Sequence, residues 1–200
     1  MPEPRCELDH DSPWQLLVAT ILSAQSTDRM VNKVTPALFA AYPTPGALAT
    51  APQEDVERLV HSTGFFRNKA RAVREASRAL VERFGGTVPA EMAALVGLPG
   101  VARKTANVVL GTGLGVAEGI VVDVHGIRVS QRLGLTREKD PGKIESALML
   151  LAPRSGWIAL GHRLTLLGRY TCLARSPRCD ACACAPVCPS AEIPATATRR

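Results

Sequence analysis

Fifteen prolines and sixteen glycines cut these 200 residues into short segments, and the segments between them repeat their apolar residues at helical rather than strand spacing. A chain punctuated this way stacks short helices; it builds neither a long sheet nor a coiled coil. Ser12-Pro13 reads as an N-cap with proline in the first turn, followed by Trp14, Leu17, Val18 and Ile21 on one face. Thr27 opens a second helix that Pro36 is expected to interrupt. Pro45 and Pro52 begin two short segments. A longer helix runs from about Arg67 to Phe84, with Ala70, Val73, Ala76 and Leu80 inward and Gly85-Gly86 as its stop. Beyond Pro89 come a short helix, a Pro-Gly turn and another helix with Ala106, Val109 and Leu110 inward. Only Ile120-Val121-Val122 reads as extended, too short for a sheet. Asp123, Asp140-Pro141 and Ser155 then start the remaining helices, the last ending near Arg169. The expected fold class is all-α, with a cysteine-rich module near the C-terminus.

A hydrophobic fraction of 46% is enough to bury an ordinary core. Lys and Arg outnumber Asp and Glu by 24 to 18, giving a net charge of +6 that favours a polyanionic partner. No apolar run reaches the length of a membrane span, and "MPEPRCELDHDSP" lacks the apolar core of a signal peptide. The reading is a cytosolic protein with no membrane role. Of six cysteines, Cys6 stands alone and five crowd between Cys172 and Cys188. In a reducing compartment such a cluster points to metal before disulfide.

The sharpest chemistry lies in "LPGVARKTANVV", Leu98 to Val109. Leu98 to Ala102 reads as a hairpin between two short helices. The second helix starts near Arg103, with Gly100 letting a phosphate backbone approach its free N–H groups. Lys104 then sits in the first turn. The positive end of the helix, Arg103 and an expected partial burial all work against a protonated amine there, and a neutral lysine is a nucleophile that can attack a sugar C1′ and hold it as a Schiff base. Arg103 and Lys104 are equally readable as phosphate contacts or solvated charges. Asp123, in "IVVDVHGIRV", follows a buried apolar run; it can take a proton from the lysine, or simply cap a helix. His125 reads as a phosphate contact or a packed helix residue.

The cysteine spacing is Cys172-x6-Cys179-x2-Cys182-x5-Cys188, with Cys184 inside the array. Four thiolates in so short a loop suit either zinc or an iron–sulfur cluster, and spacing alone leaves the choice open. Arg169, Arg175 and Arg178 lie around them as phosphate contacts or as a solvated basic loop.

Together "SAQSTD" (Ser23 to Asp28), "LPGVARKTANVVL" (Leu98 to Leu110), "VDVH" (Val122 to His125) and "GRYTC" with the cysteine spacing resemble the endonuclease III family of DNA glycosylases, in the helix-hairpin-helix superfamily. The resemblance implies a bilobed fold. Residues 6–117 would form a six-helix barrel with the hairpin; residues 118–200, with the first few N-terminal residues, would form a lobe carrying a 4Fe-4S cluster. It further implies a monomer acting on double-stranded DNA with damaged pyrimidines or abasic sites, first as glycosylase and then as lyase by β-elimination. Carried over by motif, Lys104 is the Schiff-base nucleophile and Asp123 its partner carboxylate. Cys172, Cys179, Cys182 and Cys188 hold the cluster, with Cys184 spare, and Gln25, Phe65, Gly100, Ala102 and His125 contact DNA. From residues alone, at least one of Gln25 and Phe65 is expected in the core.

Departures accompany the matches. Ala102 stands where the hairpin usually has a second glycine, so its methyl is expected to push the backbone off the phosphate; Phe65 replaces a smaller aliphatic wedge. The chain also begins close to the Trp14 helix, without the leading helix the resemblance implies. Two rivals are an adenine-mismatch glycosylase, disfavoured by Lys104 and by the lack of an added domain after Arg200, and a non-catalytic hairpin module that only binds DNA.

Overall fold

The computed structural model describes residues 4–192, and among these there are ten α-helices and no strand. The fold class is all-α, as the punctuation of the sequence implies. The chain divides into two compact units, Cys6–Glu118 and the stretch from Gly119 onward.

The first unit holds α1 (Pro13–Leu22), α2 (Asp28–Ala41), α3 (Pro45–Thr50), α4 (Gln53–Val60), α5 (Phe66–Phe84), α6 (Met92–Val96) and α7 (Arg103–Val108). Local chemistry sets the starts: the Ser12, Thr27 and Thr44 hydroxyls accept from Gln15, Met30 and Ala47 N–H groups. Leu16, Leu17, Leu22, Leu38, Leu48, Val56, Leu80, Leu95 and Leu110 are fully buried. Each such side chain contributes about 1.5–3 kcal/mol relative to exposure. The buried indole of Trp14 is satisfied by Ser77 Oγ at 3.1 Å.

Pro36 does not interrupt α2, contrary to the expectation above. Val31, Val34, Thr35 and Leu38 are buried on both sides of it, and that packing offsets the roughly 3 kcal/mol a helix-interior proline costs. Directly after α7 the chain makes a π-helical turn, Val109–Gly113, whose glycine lies against Pro13 and Leu16.

The second unit holds α8 (Val124–Arg132), α9 (Pro141–Leu151) and α10 (Trp157–Tyr170) around Ile120, Val122, Val129, Ile144, Leu148 and Leu164. Ile120–Val122 stays without a strand partner and contributes side chains to this core instead. Helices α8 and α10 approach closely because Gly168 has no side chain: a Cβ there would stand 2.7 Å from His125 Cβ. Among the described residues no helix is long and apolar enough to cross a membrane.

Burial holds the His162 imidazole of α10 below its usual 6.5. As pH falls through 6.5 the unfolded chain takes up a proton that the folded chain refuses, so stability declines until the lower folded value is passed. Denaturation midpoints followed across this acidic window should fall less steeply for His162→Gln than for the unaltered chain.

Candidate functional site

Three residues assigned to DNA contact gather around one recess of the first unit. Its walls are Ile21, Ala24, Gln25, Phe65, Asn68, Lys69, Ala72 and Gly100, enclosing ≈ 600 Å³ with part open to solvent. The hairpin supplies Gly100, and the turn closes when Val101 N–H donates to Leu98 O at 3.2 Å. Glycine is required on two counts: φ is +75°, and a Cβ would lie 3.0 Å from Ala72 Cβ.

Gln25 and Phe65 border the same recess, and neither belongs to the core as one of them was expected to. Gln25 is exposed just past α1, and Phe65 is 65% exposed. Both take left-handed backbone, at φ 52° and 49°. For a residue with a side chain this costs of order 1–3 kcal/mol, which the surrounding structure must hold in place. This strained backbone presents an amide and a phenyl ring to solvent and not to the core.

Ala102 is exposed and forms the N-cap of α7 with φ −88° and ψ 167°. That is ordinary extended backbone, so no second glycine is needed for the turn itself. Lys104 also differs from expectation: it is exposed, not part-buried. The reason is the helix face. Thr105 to Val108 turn inward, which leaves Arg103 and Lys104 on the outer side of the first turn.

In the second unit, Asp123 caps α8, its Oδ1 accepting from His125 N–H at 2.9 Å and Gly126 N–H at 2.8 Å. The capping role thus occupies one carboxylate oxygen. His125 is half-buried, its Nδ1 lying 3.1 Å from Arg128 Nη2. Arg128 also donates to the Cys172 and Gly168 carbonyls at 3.1 and 2.7 Å. One turn on, Arg132 donates to Cys172 Sγ at 3.4 Å and to the Leu173 and Ala174 carbonyls at 2.6 and 3.0 Å. Cys188 Sγ donates to the Arg132 carbonyl at 3.4 Å.

The four cysteines named from the sequence share one recess, with Arg132, Leu133, Thr171, Pro177, Arg178 and Ala185 among its walls and a volume of ≈ 400 Å³, part of it open to solvent. Cys184 does not line it. The loop is a chain of tight turns, Cys182 N–H to Cys179 O, Ala185 N–H to Cys182 O and Cys188 N–H to Ala185 O. Among the described residues no three His, Cys, Asp or Glu side chains converge as a single ion requires. Zinc draws thiolates to about 2.3 Å. Four thiols bordering one recess are the donor type that a thiolate-bound metal group takes.

Sequence reasoning did not single out Lys69, Arg128 or Arg132. Lys69 had a signal: it falls in register with the apolar stripe Val73, Ala76 and Leu80 of α5, and it is 4% exposed. The arginine pair had only its one-turn spacing.

Residues 18–154 match the HhH-GPD superfamily of base excision DNA repair proteins. Endonuclease III of Synechocystis is 53% identical over 96% of this chain and 87% of the relative's length. A solved endonuclease III in non-covalent complex with DNA is 42% identical with a TM-score of 0.89, over 95% of this chain and 89% of the other. A trapped covalent endonuclease III–DNA intermediate gives the same identity, TM-score and coverage. With hairpin, lysine, capping aspartate and cysteine loop all present on this all-helical framework, the chain belongs to the endonuclease III family.

Proposed function

We infer that the chain is a base excision repair enzyme, a DNA N-glycosylase and abasic-site lyase, and that its substrates are duplexes carrying oxidised pyrimidines. The observation that carries this is Lys104, exposed in the first turn of α7 and directly after the hairpin whose Gly100 borders the recess shared with Gln25 and Phe65. The net charge of +6 supplies a salt-dependent attraction to phosphate, and the hairpin positions the backbone without reading bases. Gln25 and Phe65 enter the base stack as the damaged nucleotide is turned out.

The Asp123 carboxylate, one oxygen of which is not used in capping, is the general base that the family resemblance assigns for freeing the Lys104 amine. The freed amine attacks C1′ of the damaged nucleotide; the bond from C1′ to the base breaks, and the base leaves with the electron pair and is protonated. The C1′–O4′ bond then breaks as nitrogen forms a double bond to C1′, O4′ takes up a proton released by the nitrogen, and the resulting imine makes the C2′ proton acidic. Loss of that proton drives the electron pair toward C1′, the C3′–O bond breaks, and the strand is cut with the phosphate as leaving group. Water then hydrolyses the imine and restores the lysine.

Cys172, Cys179, Cys182 and Cys188 would hold a 4Fe-4S cluster, which supplies structure to the basic loop rather than any reacting atom. Protein purified without oxygen should be brown with broad visible absorption and should contain iron and sulfide. A colourless preparation with one zinc per chain would remove the cluster assignment. For the reaction, borohydride should cross-link the enzyme to duplexes with a single oxidised pyrimidine, and a panel of lesions should show these preferred over alkylated or mismatched purines. Cutting without any trapped adduct would refute the imine route.

A further inference from the structure

Lys69 is buried on α5 beside the recess it helps to line, and burial pushes its amine below the usual lysine value. An ammonium kept there must do something that methionine cannot. Its Nζ donates to the Thr63 carbonyl at 2.7 Å. Thr63 is itself buried and tied by its hydroxyl to the Val60 carbonyl at 2.8 Å. The next two residues are Gly64 at φ 71° and Phe65 at φ 49°, so the held carbonyl immediately precedes the strained step that turns the phenyl ring outward. The ring is too exposed to hold that geometry by its own contacts.

We propose that Lys69 is a positioning residue for Phe65: its buried ammonium grips the Thr63 carbonyl and locks the Thr63-Gly64-Phe65 turn that presents the ring to duplex DNA. The part concerning DNA rests on the reading of Phe65 given above; the grip on the turn does not. A ring fixed before encounter loses little freedom on insertion, whereas a loose one must be ordered during the opening of the duplex.

Two measurements on Lys69→Met separate the parts. Hydrogen exchange in the free protein should speed up by about tenfold or more at the Gly64 amide, which donates to the His61 carbonyl at 3.3 Å, and not in the middle of α5. In single-turnover reactions, the ratio of excision from paired duplex to cleavage of single-stranded abasic DNA should fall by about tenfold or more, because only the duplex must be opened. Lys69→Arg, which keeps a charged donor, should recover much of both. Gly64→Ala strains the same turn without touching the buried charge and should lower the same ratio, which covers the case in which Lys69→Met does not fold. Unchanged exchange overturns the grip; faster exchange with an unchanged ratio overturns its role on DNA. An unaltered protein inactive on both substrates refutes the enzyme reading while the exchange result still stands.

Discussion

Lys104→Ala should bind duplex DNA almost as well as the unaltered chain, yield no borohydride-trapped adduct, and excise bases slower by roughly 10⁴-fold or more. The size follows from removing the nucleophile and not merely a contact, since no neighbouring group can replace an amine that forms a bond to C1′. The exposure of Lys104 makes the comparison clean. Exposed substitutions of this kind shift stability by only about 0.5 kcal/mol either way, so a lost adduct cannot be assigned to unfolding. Lys104→Arg should behave like the alanine variant, because a guanidinium stays protonated and cannot attack. Undiminished trapping with Lys104→Ala would move the nucleophile elsewhere in the chain.

Asp123→Asn should separate the helix cap that Asp123 forms from the proton transfer proposed for it. Asparagine is about as good an N-cap as aspartate and keeps an oxygen for the His125 and Gly126 N–H groups, so thermal stability should hardly change. Its neutral amide cannot accept a proton from an ammonium. Base excision should therefore fall by about 10²–10⁴-fold, the range for losing a positioned general base. Asp123→Ala loses both roles and should add a stability loss of about 1 kcal/mol. An asparagine variant that kept full activity would reduce Asp123 to a helix cap.

These contrasts mirror what could be read before any coordinates. Helix starts were legible because capping is local: Ser12, Thr27, Asp123 and Asp140 each accept a backbone N–H within three residues. The hairpin and the cysteine loop were legible for a similar reason, being single contiguous stretches. Pro36 was misread because its cost is local while the packing that offsets it joins side chains from several helices. Hydrophobicity likewise could not tell that Phe65 faces outward, since only the left-handed turn before α5 decides it. Lys104 was placed too deep because its helix face depends on which residues of α7 find partners. Lys69 shows the converse case. Its charge suggested surface, and its register with the apolar stripe was the overlooked sign of burial.

Helix α8 has Asp123 capping one end, Arg128 in its middle donating to the Cys172 carbonyl, and Arg132 at its other end donating to the Leu173 carbonyl. At 1.5 Å per residue, a nine-residue rod spans only about 13 Å, and so short a helix does not bend under load. A rod pinned at both ends in this way fixes the direction of the Asp123 carboxylate and the place of the Cys172 backbone together.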